Sequence, residues 1–106
     1  MSFKQSFVAF AVLAAAAVVN CAELQFYTTR SCAGGASQDY QNVACNSCID
    51  PPLDWYAVQF SGLGSGNRVD IYNEDACAES AQVGQAYGDL CFVAGQTAIR
   101  SAYVAC

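Results

Sequence analysis

The stretch that decides the fold runs from Leu24 to Cys32, Leu-Gln-Phe-Tyr-Thr-Thr-Arg-Ser-Cys, and residues 69–77 repeat its pattern as Val-Asp-Ile-Tyr-Asn-Glu-Asp-Ala-Cys. In both copies, apolar and polar residues alternate up to a tyrosine, four polar or small residues follow, and a cysteine closes the turn. Alternation with a period of two is typical of a β-strand that buries one face. The chain is therefore built from two copies of a strand-and-turn unit, 45 residues apart.

The two copies remain similar beyond this unit. A second cysteine follows the first after 13 residues in the first copy (Cys45) and after 14 in the second (Cys91), and each copy ends in another β-type stretch, over 55–60 and 98–104. The segment 61–67 between them holds three glycines and two serines, which predicts a flexible turn. No segment shows sustained period-3.6 patterning. The sequence therefore predicts an all-β domain with about four short strands in each half.

The repeat divides the chain into halves at about 23–61 and 68–106. A half of about 40 residues cannot bury a sheet face on its own, so we expect the two halves to pack on each other in a single domain, 23–106. A chain this short buries only about 60–65% of the surface that its unfolded form exposes. Covalent cross-links are therefore expected to supply part of its stability.

Residues 1–22 have the pattern of a secretory signal peptide. A single positive charge at Lys4 precedes an apolar run over 7–19, and short residues follow it. This run is too short to span a bilayer, which takes roughly 20 apolar residues. The alternative interpretation is an N-terminal core helix. We expect a secreted, extracellular product that begins at Ala22 or Glu23 and does not insert into membranes.

Removal of the leader takes away Cys21 and leaves an even number of cysteines. Seven cysteines become six, which indicates three disulfides in an exported chain of about 84 residues. The count alone leaves several connectivities open. The repeat favours one equivalent bridge within each half and a third that ties the C-terminus back to the first half: Cys32–Cys45, Cys77–Cys91 and Cys48–Cys106.

The first copy resembles the Greek-key signature of the βγ-crystallins, in which an aromatic residue is followed by four residues, a second aromatic, any residue and glycine. Here Tyr27 is followed by four residues, by Cys32 in place of the second aromatic, by one residue and by Gly34. The resemblance implies two Greek-key motifs packed as a small crystallin-like sandwich, with Gly34 at positive φ in a folded hairpin. The second copy departs from the signature, because Glu79 stands where the glycine is expected.

The charge of the chain excludes some classes of partner. Three arginines and nine acidic residues remain once the leader is removed, a net charge of −6, and neither lysine nor histidine is left. Nucleic acids and anionic membranes are bound through clusters of lysine and arginine. The sequence contains no such cluster, so neither is expected as a partner.

Two sequence patterns could hold a metal ion. Cys45 and Cys48 have the spacing of a zinc knuckle or a redox-active pair, but zinc needs two further thiolates or imidazoles, so structural disulfides are the favoured interpretation. The acidic residues at 73–75 and Glu79 could bind Ca²⁺. At the positions where the crystallin resemblance implies a Ca²⁺ site, only Thr97 fits the pattern. No metal and no other cofactor is therefore expected.

A catalytic site is not expected. General acid–base catalysis most often uses histidine, which the chain lacks, and a nucleophilic serine or cysteine needs an adjacent base. Asp50 and Asp54, which flank two prolines, could in principle act as the carboxylate pair of a glycosidase. Such a pair needs a substrate cleft, and a small two-sheet domain leaves little room for one.

The segment 50–56 contains the candidate binding residues. It holds the single tryptophan and both prolines of the chain, and two prolines fix a rigid extended loop. Trp55 and Tyr56 could stack on a sugar ring or anchor a protein contact. The alternative is that strand alternation turns one of the two rings into the core.

We expect a monomeric, non-catalytic protein that acts outside the cell on an extracellular protein or glycan. Its size, leader and cysteine content resemble the small cysteine-rich proteins that fungi secrete, which implies an effector or interaction protein. Similar crystallin-like folds also suggest an antimicrobial protein of killer-toxin type, although the net charge and the lack of lysine count against membrane lysis. A further alternative is a cell-wall carbohydrate-binding module that uses Trp55 and Tyr56.

Overall fold

The computed structural model describes residues 22–64 and 66–106. Residues 1–21 of the predicted signal peptide therefore lie outside the described residues. The described residues form eight β-strands, with two 3₁₀ turns at Asp75–Cys77 and Glu79–Ala81. The all-β prediction is confirmed, with four strands in each half. In chain order the strands are β1 (Ala22–Tyr27), β2 (Gln38–Val43), β3 (Ser47–Ile49), β4 (Ala57–Ser61), β5 (Arg68–Tyr72), β6 (Gln82–Tyr87), β7 (Leu90–Val93) and β8 (Ser101–Ala105).

The alternation in the repeated stretch sets the two faces of β1 and β5. Leu24 and Phe26 in β1 are fully buried, and so are Val69 and Ile71 in β5. Successive side chains of a strand point to opposite faces. The residues between these apolar side chains therefore lie on the outer face of each sheet.

The strands form two antiparallel sheets, and each sheet takes one strand from the other half. The first sheet has the order β2-β1-β4-β7, and the second has the order β3-β8-β5-β6. Cys48 of β3 lies opposite Tyr103 of β8 in the second sheet. Cys91 of β7 lies opposite Gln59 of β4 in the first sheet. Neither half can therefore complete its sheet without the other.

The internal repeat extends to the backbone hydrogen bonds. Trp55 and Ile99 precede β4 and β8, and two hydrogen bonds join them, from Trp55 N to Ile99 O (2.9 Å) and from Ile99 N to Trp55 O (2.7 Å). The residue after Trp55 and the residue after Ile99 each donate a backbone N–H hydrogen bond to the carbonyl oxygen of a tyrosine. This tyrosine is the last residue of the first strand in the same half. These bonds run from Tyr56 N to Tyr27 O (2.9 Å) and from Arg100 N to Tyr72 O (2.8 Å).

The hydrophobic core lies between the sheets and draws on both halves. Phe26 packs edge-on against Trp55 and against Tyr40, with ring centroids 5.8 Å apart in each pair. Phe92 of β7 approaches β6 so closely that a Cβ atom on Gly84 would overlap its ring, which requires glycine at that position. The buried apolar residues of the core are Ala22, Leu24, Phe26, Val43, Trp55, Val58, Phe60, Val69, Ile71, Ala86, Ala94, Ile99, Ala102 and Val104.

The β1–β2 and β5–β6 loops each fold back over the outer face of a sheet. In the first loop Gly34 has a φ of +81°, as the crystallin resemblance implies. In the second loop, which lacks this glycine, Ala76 and Cys77 take positive φ values of 61° and 52°. The tyrosines beneath the two loops, Tyr27 and Tyr72, are consequently buried although they belong to the outer faces.

All six cysteines of the predicted mature chain form disulfides, as predicted, but the predicted pairing is wrong in every bridge. The exchange of β3 and β7 is the physical reason, because it places the third strand of each half beside the folded loop of the other half. Cys32 and Cys77 occupy equivalent positions in the repeat. Each of them therefore forms its disulfide with a cysteine of the other half. The observed bridges are Cys32–Cys91, Cys48–Cys77 and Cys45–Cys106, in place of Cys32–Cys45, Cys77–Cys91 and Cys48–Cys106.

The third bridge has a non-covalent counterpart at the other sheet. The Cys45–Cys106 disulfide ties the β2–β3 turn to the end of β8 in the second sheet. At the corresponding place in the first sheet, Asp89 in the β6–β7 turn accepts hydrogen bonds from Gly62 N (3.1 Å) and Leu63 N (2.9 Å), just after β4. A carboxylate at the first sheet thus makes the connection that a disulfide makes at the second.

Mass spectrometry of the non-reduced protein, cleaved after arginine and before aspartate, distinguishes the observed pairing from pairing within the halves. The observed bridges predict a two-peptide product that joins 31–38 to 89–100, and a three-peptide product that joins 39–49 to both 75–88 and 101–106. Pairing within the halves would instead join 75–88 to 89–100 alone. Detection of that product in the native protein would contradict the exchange of strands.

Candidate functional site

The outer face of the second sheet carries a polar groove with a volume of about 460 Å³. Arg68, Asp70 and Tyr72 lie along β5 on this face, because alternate residues of a strand share a face. The groove is lined by Cys48, Arg68, Asp70, Tyr72, Ala76, Cys77, Glu79, Gln82 and Tyr103. Three of these residues belong to one cross-strand row of the sheet, which runs in the order Gln85, Asp70, Tyr103 and Cys48, and Gln85 lies just outside the groove.

Asp70 is a buried acid on this outer face, and two side chains hold it in place. Its side chain is 6% exposed. Arg68 Nε donates to Asp70 Oδ1 at 2.9 Å, and Arg68 Nη2 donates to Oδ2 at 3.3 Å. Gln85 Nε2 donates to Oδ1 at 3.0 Å. A buried carboxylate is tolerated when it is paired and hydrogen-bonded, and the same bonds fix the positions of Arg68 and Gln85.

The β5–β6 loop forms one wall of the groove and is attached to the sheet at two places. The Cys48–Cys77 disulfide ties the loop to β3. Ser101 Oγ on β8 accepts a hydrogen bond from Cys77 N (2.9 Å) and donates one to Glu74 O (2.6 Å). Because both attachments are independent of any ligand, the groove is preformed.

The charges around the groove shift two pKa values. Burial raises the pKa of Tyr72, and the neighbouring carboxylates of Asp70 and Glu79 raise it further. The pKa of Arg68 is raised because its hydrogen bond to Asp70 and the attraction between their charges favour the protonated guanidinium. At neutral pH Tyr72 is a neutral phenol, and Arg68 and Asp70 cancel each other's charge. Glu79 then gives the groove lining its net negative charge.

The corresponding face of the first sheet has the same backbone arrangement and different side chains. Its equivalent row, in order across the sheet, is Asp39, Gln25, Gln59 and Cys91. Gln25 takes the place of Asp70 and Gln59 takes the place of Tyr103, so the Arg68–Asp70 pair has no counterpart on this face. Glu23, at the position equivalent to Arg68, shares a hydrogen bond with Asp39. This bond raises the pKa of Glu23, and desolvation and charge repulsion add to the effect.

Trp55 does not lie at the surface. Its side chain is 2% exposed and packs against Phe26 in the core. The paired hydrogen bonds with Ile99 fix the backbone at this point with the ring turned inward, which is the alternative that strand alternation offered. The ring is therefore not available to an external partner, and Trp55 is removed from the candidate binding residues.

Tyr56 is half-buried, and a cation from the same chain occupies its ring face. The Cζ atom of Arg30 lies 4.9 Å from the centroid of the Tyr56 ring. The guanidinium of Arg30 also donates to Ala94 O (3.4 Å) and Gly95 O (3.1 Å). These contacts hold the β1–β2 loop against the end of β7. Tyr56 thus has a structural partner, and its role in ligand binding stays a prediction.

Three of the acidic residues considered from the sequence, Asp50, Asp54 and Asp75, take part in structural contacts. Asp50 Oδ2 accepts a hydrogen bond from Ala76 N (3.0 Å), whereas Asp54 lies 3.4 Å from Arg100 Nη1, so different partners hold the two carboxylates. Asp75 lies 3.0 Å from Arg100 Nη2. Within 22–64 and 66–106, no group of three or more cysteine, aspartate or glutamate side chains is placed to hold a metal ion.

Sequence reasoning singled out Cys48, Cys77 and Glu79 for other roles, but it did not identify Arg68, Asp70 or Tyr103 as binding residues. A signal was present, because aspartate is depleted in strands and Asp70 stands between two apolar residues of an alternating stretch. Arg68 stands two positions before it, on the same face of the strand. The alternation does not give the register between strands, and only the register places Tyr103 beside Asp70.

No known protein family, curated protein or solved structure matches the chain. In the part of the chain that the structure describes, no helix has the length and apolar character needed to cross a membrane. The groove is therefore interpreted from its own chemistry.

The burial of Trp55 gives a first test of this site assignment. Trp55→Ala should lower the free energy of unfolding by about 3–5 kcal/mol, because it removes a large aromatic side chain from the core. Tyr56→Ala should cost clearly less, since its ring is half-buried. Urea denaturation of both variants with the disulfides intact measures the difference. A loss below about 1 kcal/mol for Trp55→Ala would place the ring outside the core.

The Glu23–Asp39 contact predicts a dependence of stability on pH. A carboxyl whose pKa is raised by folding contributes stability at low pH and loses it as the pH rises through the folded pKa. Glu23→Gln removes the repulsion, so it should raise the Tm of the protein at pH 7 and have little effect at pH 3. Thermal denaturation at both values tests this, and an equal gain at pH 3 would exclude the carboxyl pair as its cause.

Proposed function

We propose that this chain is an exported, non-catalytic binding protein, of the kind that fungi secrete as effectors or extracellular interaction proteins, and that the groove on its second sheet is the binding site. The difference between the two outer faces carries the proposal. The first sheet builds the same backbone row from Asp39, Gln25 and Gln59, without a pair of opposite charges like Arg68 and Asp70. The fold therefore does not need the Arg68–Asp70 pair, and its presence on one face indicates a role other than folding.

The strand order supports a crystallin-type double Greek key for this protein. In each half the fourth strand lies beside the first and the first beside the second, as in a Greek key, while the third strand pairs in the sheet of the other half. Gly34 at positive φ in the folded β1–β2 loop agrees with the signature of the family.

The cysteines and the charge support a role outside the cell. Three disulfides in a domain of this size are typical of oxidising compartments, since cytosolic thiols are kept reduced. A net charge of −6 after removal of the leader counts against nucleic acids and anionic membranes as partners.

The geometry of the groove favours binding over catalysis. Both oxygens of Asp70 accept hydrogen bonds from within the sheet, so the carboxylate acts as a fixed acceptor. The groove floor is sheet, and the Cys48–Cys77 bridge fixes its wall. Donors and acceptors that are held in place before a ligand arrives reduce the entropy cost of binding.

A comparison of matched variants tests the proposed binding face. The protein from Ala22 to Cys106 is immobilised and exposed to secreted proteins and cell-wall fragments from fungal and plant cultures. The double variant Arg68→Gln/Tyr103→Ala alters the groove, and Glu23→Gln/Gln59→Ala alters the equivalent positions of the first sheet. We expect the groove variant to lose the material that the unaltered protein captures, and the control variant to retain it.

Two outcomes would contradict the proposal. Equal capture by both variants would place the binding face elsewhere. Absence of any specific capture by the unaltered protein would exclude an extracellular binding role in the material tested. The melting temperatures of both variants, measured beside the unaltered protein, establish that each one is folded.

A further inference from the structure

We infer that the groove binds short neutral oligosaccharides, with a sugar ring on Tyr103 and sugar hydroxyl groups hydrogen-bonded by Arg68 and Asp70. The inference rests on the proposed function, because it names the ligand class of the same groove. It also transfers the carbohydrate-binding role from Trp55 and Tyr56, where the sequence suggested it, to a different face of the molecule.

The Arg68–Asp70 pair retains hydrogen-bonding capacity for a ligand. A guanidinium has five N–H donors, of which the two bonds to Asp70 use two. A carboxylate accepts about four hydrogen bonds, and Asp70 receives three from Arg68 and Gln85. The Arg68 side chain is 39% exposed, so its remaining donors can reach a ligand. Adjacent donors and acceptors of this kind match the hydroxyl groups of a sugar, each of which donates and accepts.

Tyrosine side chains supply the apolar part of the groove. Tyr103 is half-buried and lies opposite Asp70 in the neighbouring strand, so a ligand on its ring is also within reach of the charged pair. Tyr72 lines the same groove and is a neutral phenol at neutral pH, since the ordinary pKa of tyrosine lies well above 7 and burial raises it further. An aromatic ring with a polar tip offers both a face for C–H groups and a hydrogen bond.

The charge of the groove selects against ionic ligands. Arg68 and Asp70 neutralise each other, and Glu79 adds a negative charge, so an anionic saccharide is repelled by the groove and by the whole chain. A cationic ligand gains no ion pair at the centre of the groove, because Arg68 already pairs with Asp70. Neutral saccharides do not depend on such a pair.

The size and rigidity of the groove fit a short oligosaccharide. Its volume of about 460 Å³ falls within the range of roughly 300–1,000 Å³ that is typical of small-molecule sites. The Cys48–Cys77 bridge and the hydrogen bonds of Ser101 fix the loop wall without a ligand. Fixed polar groups are needed to distinguish hydroxyl groups from water.

Titration with defined saccharides tests the inference. The ¹⁵N-labelled protein from Ala22 to Cys106 is titrated with hexamers of β-1,3-glucose, β-1,4-glucose, β-1,4-N-acetylglucosamine, β-1,4-xylose and β-1,4-mannose. Cationic hexaglucosamine and anionic hexagalacturonate form the charged arms. We expect at least one neutral hexamer to shift the amide signals of Asp70, Gln82 and Tyr103, and neither charged saccharide to do so.

Matched variants separate the groove from the rest of the surface. Tyr103→Ala should weaken binding of the neutral saccharide at least tenfold, as is common when an aromatic anchor is truncated. Tyr103→Phe, which keeps the ring, should lose less. Gln59→Ala, at the equivalent position of the first sheet, should change the affinity by less than twofold.

The outcomes distinguish the inference from the proposed function. If no neutral hexamer shifts the groove signals, or if a charged saccharide binds there instead, the inference is wrong. The capture experiment then decides whether the proposed function survives. If Arg68→Gln/Tyr103→Ala fails to capture extracellular material that the unaltered protein binds, the groove is still a binding site, with a non-glycan ligand. Equal saccharide affinity for Tyr103→Ala and the unaltered protein would also overturn the inference, because the sugar would bind elsewhere.

Discussion

The strand β3 leaves the sheet of its own half to pair with β8, and β7 leaves its half to pair with β4. Other features of the structure follow from this exchange. Each sheet is complete only when both halves are present, so one core forms between them. The third strand of each half lies under the folded loop of the other, and the Cys32–Cys91 and Cys48–Cys77 bridges join the halves at these two equivalent places. The second of these bridges also fixes a wall of the groove.

The internal repeat supplies a common framework on which the halves have diverged. Where Arg30 stacks on Tyr56 in the first half, the equivalent contact in the second half is the ion pair of Asp75 with Arg100. The Cys45–Cys106 disulfide attaches the end of β8 to the β2–β3 turn, whereas hydrogen bonds to the Asp89 carboxylate attach the end of β4 to the β6–β7 turn. These substitutions preserve the connection and change its chemistry. The outer faces differ further, since only the second sheet combines a charged pair with tyrosine at the centre of its row.

Much of the fold could be predicted from the sequence because it depends on local patterns. Alternation and the repeat predicted β-stretches close to β1, β4, β5 and β8, and the crystallin resemblance implied a positive φ at Gly34 in the folded loop. The disulfide pairing could not be obtained in this way, because it depends on which sheet receives the third strand. Alternation alone does not say whether the Trp55 ring points into the core or to the surface. The long-range backbone contact with Ile99 fixes its inward orientation. The groove needs the register between β5 and β8, which no pattern within a single strand contains.

Nuclear Overhauser effects across the exchanged strands test the central feature of this account most directly. In the oxidised protein from Ala22 to Cys106, the backbone protons of Cys48 should show contacts with Tyr103, and those of Cys91 with Gln59. Antiparallel neighbours are about 4.5–5.5 Å apart between Cα atoms, so these contacts are readily observed. The account predicts both sets together. Contacts of β3 with β2 or β4 within its own half, in place of those with β8, would contradict the exchange and the groove that depends on it.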